Sequence, residues 1–258
     1  MKKTITIILT ALLFCAFSAL GIDSVFRVED VALEINVVSE DAKTEAQSLK
    51  RELLSVYEKN SIFSVDENSA EEVLADFPYF RLTNFSKAYP DKLVVEVTED
   101  AEVFAVKSQD EYCILGLDGT VLSKRTDPNN RSDGRENVLI EGVTVLAEKG
   151  EVCKTESITK ALPFLKTLSN RFNGLRSNIV KIVYEKIGSN EQYTLYMREG
   201  LKIYVMRMDE FTTEKGETIA DTYLSMSDSA RLSGSLYVTN TSEKVTIQAL
   251  PNDLPENP

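Results

Sequence analysis

The chain of 258 residues carries 41 acidic against 29 basic side chains, a formal net charge of −12, and has neither histidine nor tryptophan. A surface this acidic repels nucleic acid and anionic lipid headgroups, and the lack of histidine removes the commonest general base, metal ligand and triad base together. No cofactor, metal or small-molecule substrate is expected, and no side chain is assigned a catalytic role.

Lys2 and Lys3 precede an uncharged run from Thr4 to Ile22, and the first acid, Asp23, stands directly behind it. As a helix rising about 1.5 Å per residue this run reaches roughly 28 Å, close to the hydrocarbon thickness of a bilayer. Lysines before it and Asp23, Glu29 and Asp30 after it favour a short cytoplasmic tail with the rest of the chain outside. Residues 1–22 are therefore expected to be a tail and a transmembrane helix. A cleaved secretory signal, cut after Gly21, is the alternative, although the run exceeds the roughly 7 to 15 apolar residues of a signal core. Cys113 and Cys153 lie beyond the run, without the spacing of a disulfide framework or a metal site.

Alternation late in the stretch 25–38 predicts a strand with Leu33, Ile35 and Val37 on one side. Ala46, Leu49, Leu53 and Val56 then recur at helical spacing. A second helix is expected where Ser64 and Glu67 have capping-box spacing and Ala70, Val73, Leu74 and Phe77 form the apolar stripe, with Pro78 closing it. Residues 80–86 read as a strand, 89–92 as a turn, and Leu93, Val95 and Val97 as one face of the next strand. This order describes a compact α+β module with two helices on one face of a three-stranded sheet.

Within that module the run Pro78 to Val106 resembles the POTRA domain of the bacterial division proteins called FtsQ or DivIB. Pro78, Tyr89, Pro90, Leu93, Val95, Val97, Glu99 and Ala105 occupy the places of that family's pattern, and Phe63, Val65 and Asp66 match the phrase ahead of its second helix. Asp100 stands where the family often has arginine, Glu102 where proline is common, and Ser39 and Glu40 where Gly-Asn often follows the first strand. The resemblance implies a POTRA domain over 23–106.

Residues 112–115 and 121–122 read as strands around the turn Leu117-Asp118-Gly119-Thr120. The polar stretch 126–135 is an expected loop, and 138–140 a further strand. Ile158, Ala161, Leu162, Leu165, Leu168 and Phe172 make a helical stripe, in which Pro163 should mark a kink or the first turn. A strand at 180–184, a hairpin of 193–197 with 201–206, and a helix over 214–226 presenting Ile219, Tyr223 and Leu224 follow. The last pair of strands is expected at 236–239 and 245–249. This layout is similar to the β domain of the same family and is assigned to 107–250, although Gly234-Ser235-Leu236 stands where the family tends to have an acidic residue and a leucine. Residues 251–258 are expected to be a disordered tail. The fold class is thus α+β: a transmembrane helix, a POTRA domain, and a strand-rich α+β domain ending in an edge strand.

Asp118-Gly119 and the acidic group Asp66, Glu67, Glu71 and Glu72 lack the spacing of a phosphate or calcium site; a hairpin turn and a helix start account for them. Tyr184, Tyr193, Tyr196, Tyr204 and Tyr237 concentrate in the strand-rich domain, as suits strand packing or an interface. A final strand with nothing after it to cover it leaves backbone donors and acceptors that a partner strand can complete. The family resemblance implies that this region receives an extracytoplasmic segment of a small coiled-coil division protein of the FtsB/DivIC type, in a complex that also holds an FtsL-like protein. Carried over, the partner surface would include Leu236, Tyr237, Val238, Thr239, Val245 and Ile247. The resemblance also implies a non-enzymatic role at the division septum, linked to cell-wall synthesis. Two rivals are a carboxylate-based envelope hydrolase, for which no pair of acids recommends itself, and a transport POTRA, which usually needs tandem copies and a membrane barrel.

Overall fold

The computed structural model describes residues 25–130, 133–188, 190–208 and 211–250. The expected span and the expected disordered tail lie outside them. Among the described residues no helix is long and apolar enough to cross a membrane. The chain is α+β and divides into two compact units, one of residues 25–38 and 42–100, the other of 39–41 and 101–250.

The first unit is built from β1 (Asp30–Glu34), α1 (Glu40–Tyr57), α2 (Asn68–Leu74), β2 (Phe80–Ala88) and β3 (Lys92–Glu99). The sheet order is β1-β3-β2, with β1 parallel and β2 antiparallel to the central strand. Leu93, Val95 and Val97 alternate into the core because β3 has neighbours on both sides and one covered face. The helices add Ala42, Leu49, Leu53, Tyr57, Ala70 and Leu74 to the unit's buried side chains.

Three local expectations are corrected here. Strand β1 ends at Glu34, and the buried positions are Val28 and Val31 rather than the half-buried Leu33, Ile35 and Val37. The stripe of α1 closes on Tyr57 while Val56 is exposed, since the Tyr57 hydroxyl reaches the Asp66 carbonyl at 2.7 Å and anchors the ring inward. No capping box forms: Ser64 donates to the Ser61 carbonyl, and the Asp66 carboxylate takes the Ser69 amide instead. Acids of the predicted cluster thus serve the start of α2, where the helix dipole favours them.

The second unit holds β4 (Phe104–Ser108), β5 (Glu111–Leu115), β6 (Val121–Arg125), β7 (Val138–Glu141), α3 (Glu156–Arg171), β8 (Ile179–Ile187), β9 (Asn190–Met197), β10 (Lys202–Met206), α4 (Thr213–Ser225), α5 (Asp228–Leu232), β11 (Ser235–Asn240) and β12 (Val245–Leu250). Nine strands form one mixed sheet in the order β12-β11-β10-β9-β8-β7-β4-β5-β6. Ile158, Ala161, Leu165 and Leu168 of α3 and Ile219, Ala220 and Tyr223 of α4 share one core with Ile182, Leu195, Ile203, Val205, Leu236 and Val238 from the strands. The helices approach closely at Gly216, where a Cβ would stand 2.9 Å from the Thr167 methyl. Pro163 lies inside α3 rather than at its first turn, and Leu224 is exposed while Ala220 takes the inward place. Helix α5, whose five residues bury nothing, has no apolar stripe by which to be foreseen.

The two acids near residue 100 have partners. Asp100 takes the Arg81 guanidinium at 2.7 Å. Glu102 is fully buried, accepts two hydrogen bonds of 2.8 Å from Arg125, and accepts a third from Asn137 at 3.1 Å. A buried carboxylate is tolerated only with such pairing, so Arg125 and Asn137 permit an acid at this position.

Candidate partner-binding edge

Two strands end the large sheet, and they differ. The outer side of β6 is partly covered, since Val121 donates to the Glu151 carbonyl at 2.9 Å, Gly150 donates back to Val121 at 2.8 Å, and Thr120 bridges Val152. Strand β12 has one ladder neighbour, β11, and among the described residues no strand pairs with its other side. Its sequence, VTIQAL, has no charge, and none of its six side chains is fully buried.

The edge is placed by pairing, not by a local signal. Strand β10 lies antiparallel to β9, the chain crosses over through α4 and α5, and β11 returns parallel to β10. A hairpin then lays β12 antiparallel outside β11, with Leu236 opposite Ala249, Val238 opposite Ile247 and Asn240 opposite Val245. The turn is tied by Thr241, whose amide donates to the Lys244 carbonyl at 3.0 Å. The Lys215 ammonium from α4 donates to the Thr241 carbonyl, and the buried Asn240 amide donates to the Arg207 carbonyl at 2.9 Å. These bonds hold the hairpin against the body of the unit.

The six residues singled out for partner binding fall into three environments. Leu236 and Val238 are buried in the core, and their strand has ladder neighbours on both sides, so they offer neither side chain nor free backbone to a partner. Val245 and Ile247 are half-buried against that core and offer the backbone of the open rim. Tyr237 and Thr239 are exposed on the opposite face of the sheet. There Tyr237 stacks on its register partner Tyr204, with centroids 4.7 Å apart and planes 11° from parallel. Tyr204, Met206, Tyr237, Thr239, Gln248 and Leu250 line a shallow groove of about 300 Å³ beside the rim. Sequence reasoning named Tyr204 only among the tyrosines suited to strand packing or an interface, and it missed Met206, Gln248 and Leu250 because they reach this face from strands treated separately. Strand parity, which puts alternate residues on one face, could have found them once the register was known.

The acidic-glycine turn and the two cysteines singled out in the sequence have structural places. The Asp118 carboxylate takes the Thr120 amide at 3.0 Å to close its turn, and Gly119 sits at φ +89°, where a Cβ would also stand 2.8 Å from the Leu162 side chain. Cys113 and Cys153 are buried free thiols, and burial pushes the Cys113 thiol up. Among the described residues no three acids or thiols come together as a metal-holding group.

Residues 33–100 match the family described as POTRA domain, FtsQ-type. No curated protein matches the chain. Among solved structures, the chain is similar to the major extracytoplasmic domain of the trans isomer of the bacterial cell division protein DivIB from Geobacillus stearothermophilus, at 17% identity and a TM-score of 0.31, over 46% of this chain and 87% of that one.

Proposed function

From the premise that residues 33–100 carry the FtsQ-type POTRA domain of the FtsQ/DivIB cell division proteins, we propose that the chain is a non-enzymatic division protein whose second unit captures a partner by strand addition. The partner is the extracytoplasmic segment of an FtsB/DivIC-like coiled-coil protein, which brings an FtsL-like protein with it. Assembled at the septum, the complex couples the division machinery to cell-wall synthesis. In this reading residues 1–22 are a short cytoplasmic tail and a single-pass anchor, and the rest of the chain works outside the membrane.

One observation carries the reading: β12 is a six-residue, charge-free terminal strand with an outer side that no strand of the described residues occupies. A row of backbone groups of this kind binds an extended segment through main-chain hydrogen bonds, and nearby side chains give selectivity. Tyr237, Thr239, Gln248 and Leu250 stand where such a segment's side chains would fall on the exposed face.

The test uses proline, which cannot donate to a ladder. Val245 and Ile247 share one orientation and Thr246 and Gln248 the other, so only one pair points its amides outward. Val245→Pro or Ile247→Pro is expected to abolish capture of the partner segment while far-UV circular dichroism stays native. Thr246→Pro serves as the opposite-parity control. Retained capture in both parities would end the strand-addition reading. A fluorescent fusion spread uniformly around the envelope, with no enrichment at midcell, would end the division reading.

A further inference from the structure

The first unit exposes four large apolar side chains among its described residues, Val25, Val56, Phe63 and Tyr89; Phe63 and Tyr89 meet at one end, beside Phe26, which Val25 directly precedes in the chain. Phe63 and Tyr89 are each 59% exposed and Val25 55%. The Phe63 ring lies 5.0 Å from Phe26 and 5.7 Å from Tyr89, and Tyr89 lies 6.4 Å from Phe26. Three rings from three separate segments thus form one patch. Such a patch on a domain this acidic calls for an apolar surface to meet it.

Hydrogen bonds build this end. The Ile62 amide donates to the Phe26 carbonyl at 2.8 Å, Val28 donates to Asn60 at 3.0 Å, and Lys59 donates back to Val28 at 3.2 Å. On the other side Glu29 donates to the Asp91 carbonyl at 2.8 Å. The first described residues are therefore fastened to both turns that supply the other two rings. The sequence adds the decisive constraint: Phe26 follows Ile22, the last residue of the apolar run, by four positions. Four extended residues span at most about 14 Å. The headgroup layer on each side of a bilayer is roughly 5 to 8 Å deep. The patch is thus tethered within reach of the interface, where amphipathic and aromatic rings are enriched.

We propose that Phe26, Phe63 and Tyr89, with Val25, form an interfacial anchor that seats this domain against the boundary between lipid headgroups and acyl chains. The occupant is the lipid bilayer itself. This rests on the reading of residues 4–22 as a retained span. Because the chain carries a net charge of −12, apolar partitioning rather than attraction to anionic lipid drives the contact, and zwitterionic membranes should serve as well as anionic ones.

The absence of tryptophan makes the test clean, since Phe63→Trp introduces a sole indole at an exposed position. The full chain is reconstituted into phosphatidylcholine vesicles, with and without phosphatidylglycerol, using lipids brominated high on the acyl chain. The expected result is a blue-shifted emission that loses most of its intensity to the brominated lipid in both membranes. Tyr89→Trp provides a second reporter if the first variant folds poorly. An unquenched, water-like emission from a chain that resists alkaline carbonate extraction would overturn the anchor while leaving the span intact. Release of the chain by carbonate would overturn the span reading, and this proposal with it.

Discussion

Strand β2 closes one side of the POTRA sheet and β12 one side of the nine-stranded sheet, and the two edges are built on opposite principles. Strand β2 carries Arg81 and Lys87, breaks its ladder with a bulge between Leu82 and Asn84, and sets Thr83 and Asn84 on hydrogen bonds to Glu96. These are devices by which a sheet keeps an edge from pairing with another chain. The other edges follow suit, β1 with Asp30 and Glu34 and β6 with Lys124 and the backbone of Gly150 and Glu151 that partly covers it. Of the four edge strands among the described residues, only β12 has no charge, and it has no bulge against its neighbour. An unguarded edge is a liability for a protein that works alone. In a protein that works by receiving a strand it is the working part.

The comparison can be broken or sharpened by substitution. Beyond the proline test, the largest expected effect is on stability, one strand in from the rim. Leu236→Ala should destabilise the second unit by about 2–5 kcal/mol, as for a fully buried leucine, measured by denaturant unfolding. Ile247→Ala, at a half-buried rim position, should cost clearly less. Equal costs would mean that the core extends through β12 and the rim is not an edge.

Guarding the rim is the next test. Gln248→Lys places on β12 the kind of charge that β2 already carries, and it should weaken partner binding about tenfold, or roughly 1.4 kcal/mol, by isothermal titration. Lys87→Gln, which removes a guard from β2, should leave that affinity unchanged. A smaller effect concerns the two interiors. Burial, then the nearby Asp66, pushes the Tyr57 phenol up to about 12, and burial, then Glu199, does the same for Tyr223. Both phenols therefore hold their protons in the fold above the unfolded value of about 10. The stability they contribute is complete below pH 10 and is lost as pH rises from there through about 12. Alkaline unfolding followed by circular dichroism should show this loss, reduced in Tyr57→Phe and in Tyr223→Phe. The smallest effect falls on the guarded edge itself: Asp100→Ala removes the largely exposed ion pair with Arg81 and should change stability by no more than about 1 kcal/mol.

Much of the fold was legible, and for local reasons. The inward alternation of Leu93, Val95 and Val97 and the stripe from Ile158 to Phe172 both emerge where periodicity put them, because each element buries a face set by its own geometry. Val56 and Tyr57 show the limit. Helical spacing allows either to continue the stripe, and a hydrogen bond from the Tyr57 hydroxyl to a loop nine residues on decides between them. The candidate site was legible in part. Leu236 and Val238 have the same alternating apolar look as Val245 and Ile247, yet the first two are buried on both ladder sides and the second two stand at the rim.

From the residues alone came the α+β class, the order of most elements, the FtsQ-type POTRA pattern and the pair of strands at 236–239 and 245–249, since propensity, periodicity and chain order are carried by neighbours in sequence. The tertiary structure decided which strands sit side by side, and with them which edge is open and which rings meet. Those choices depend on pairings such as β10 with β11 and on bonds such as Ile62 to Phe26, between residues dozens of positions apart, and no local pattern encodes them.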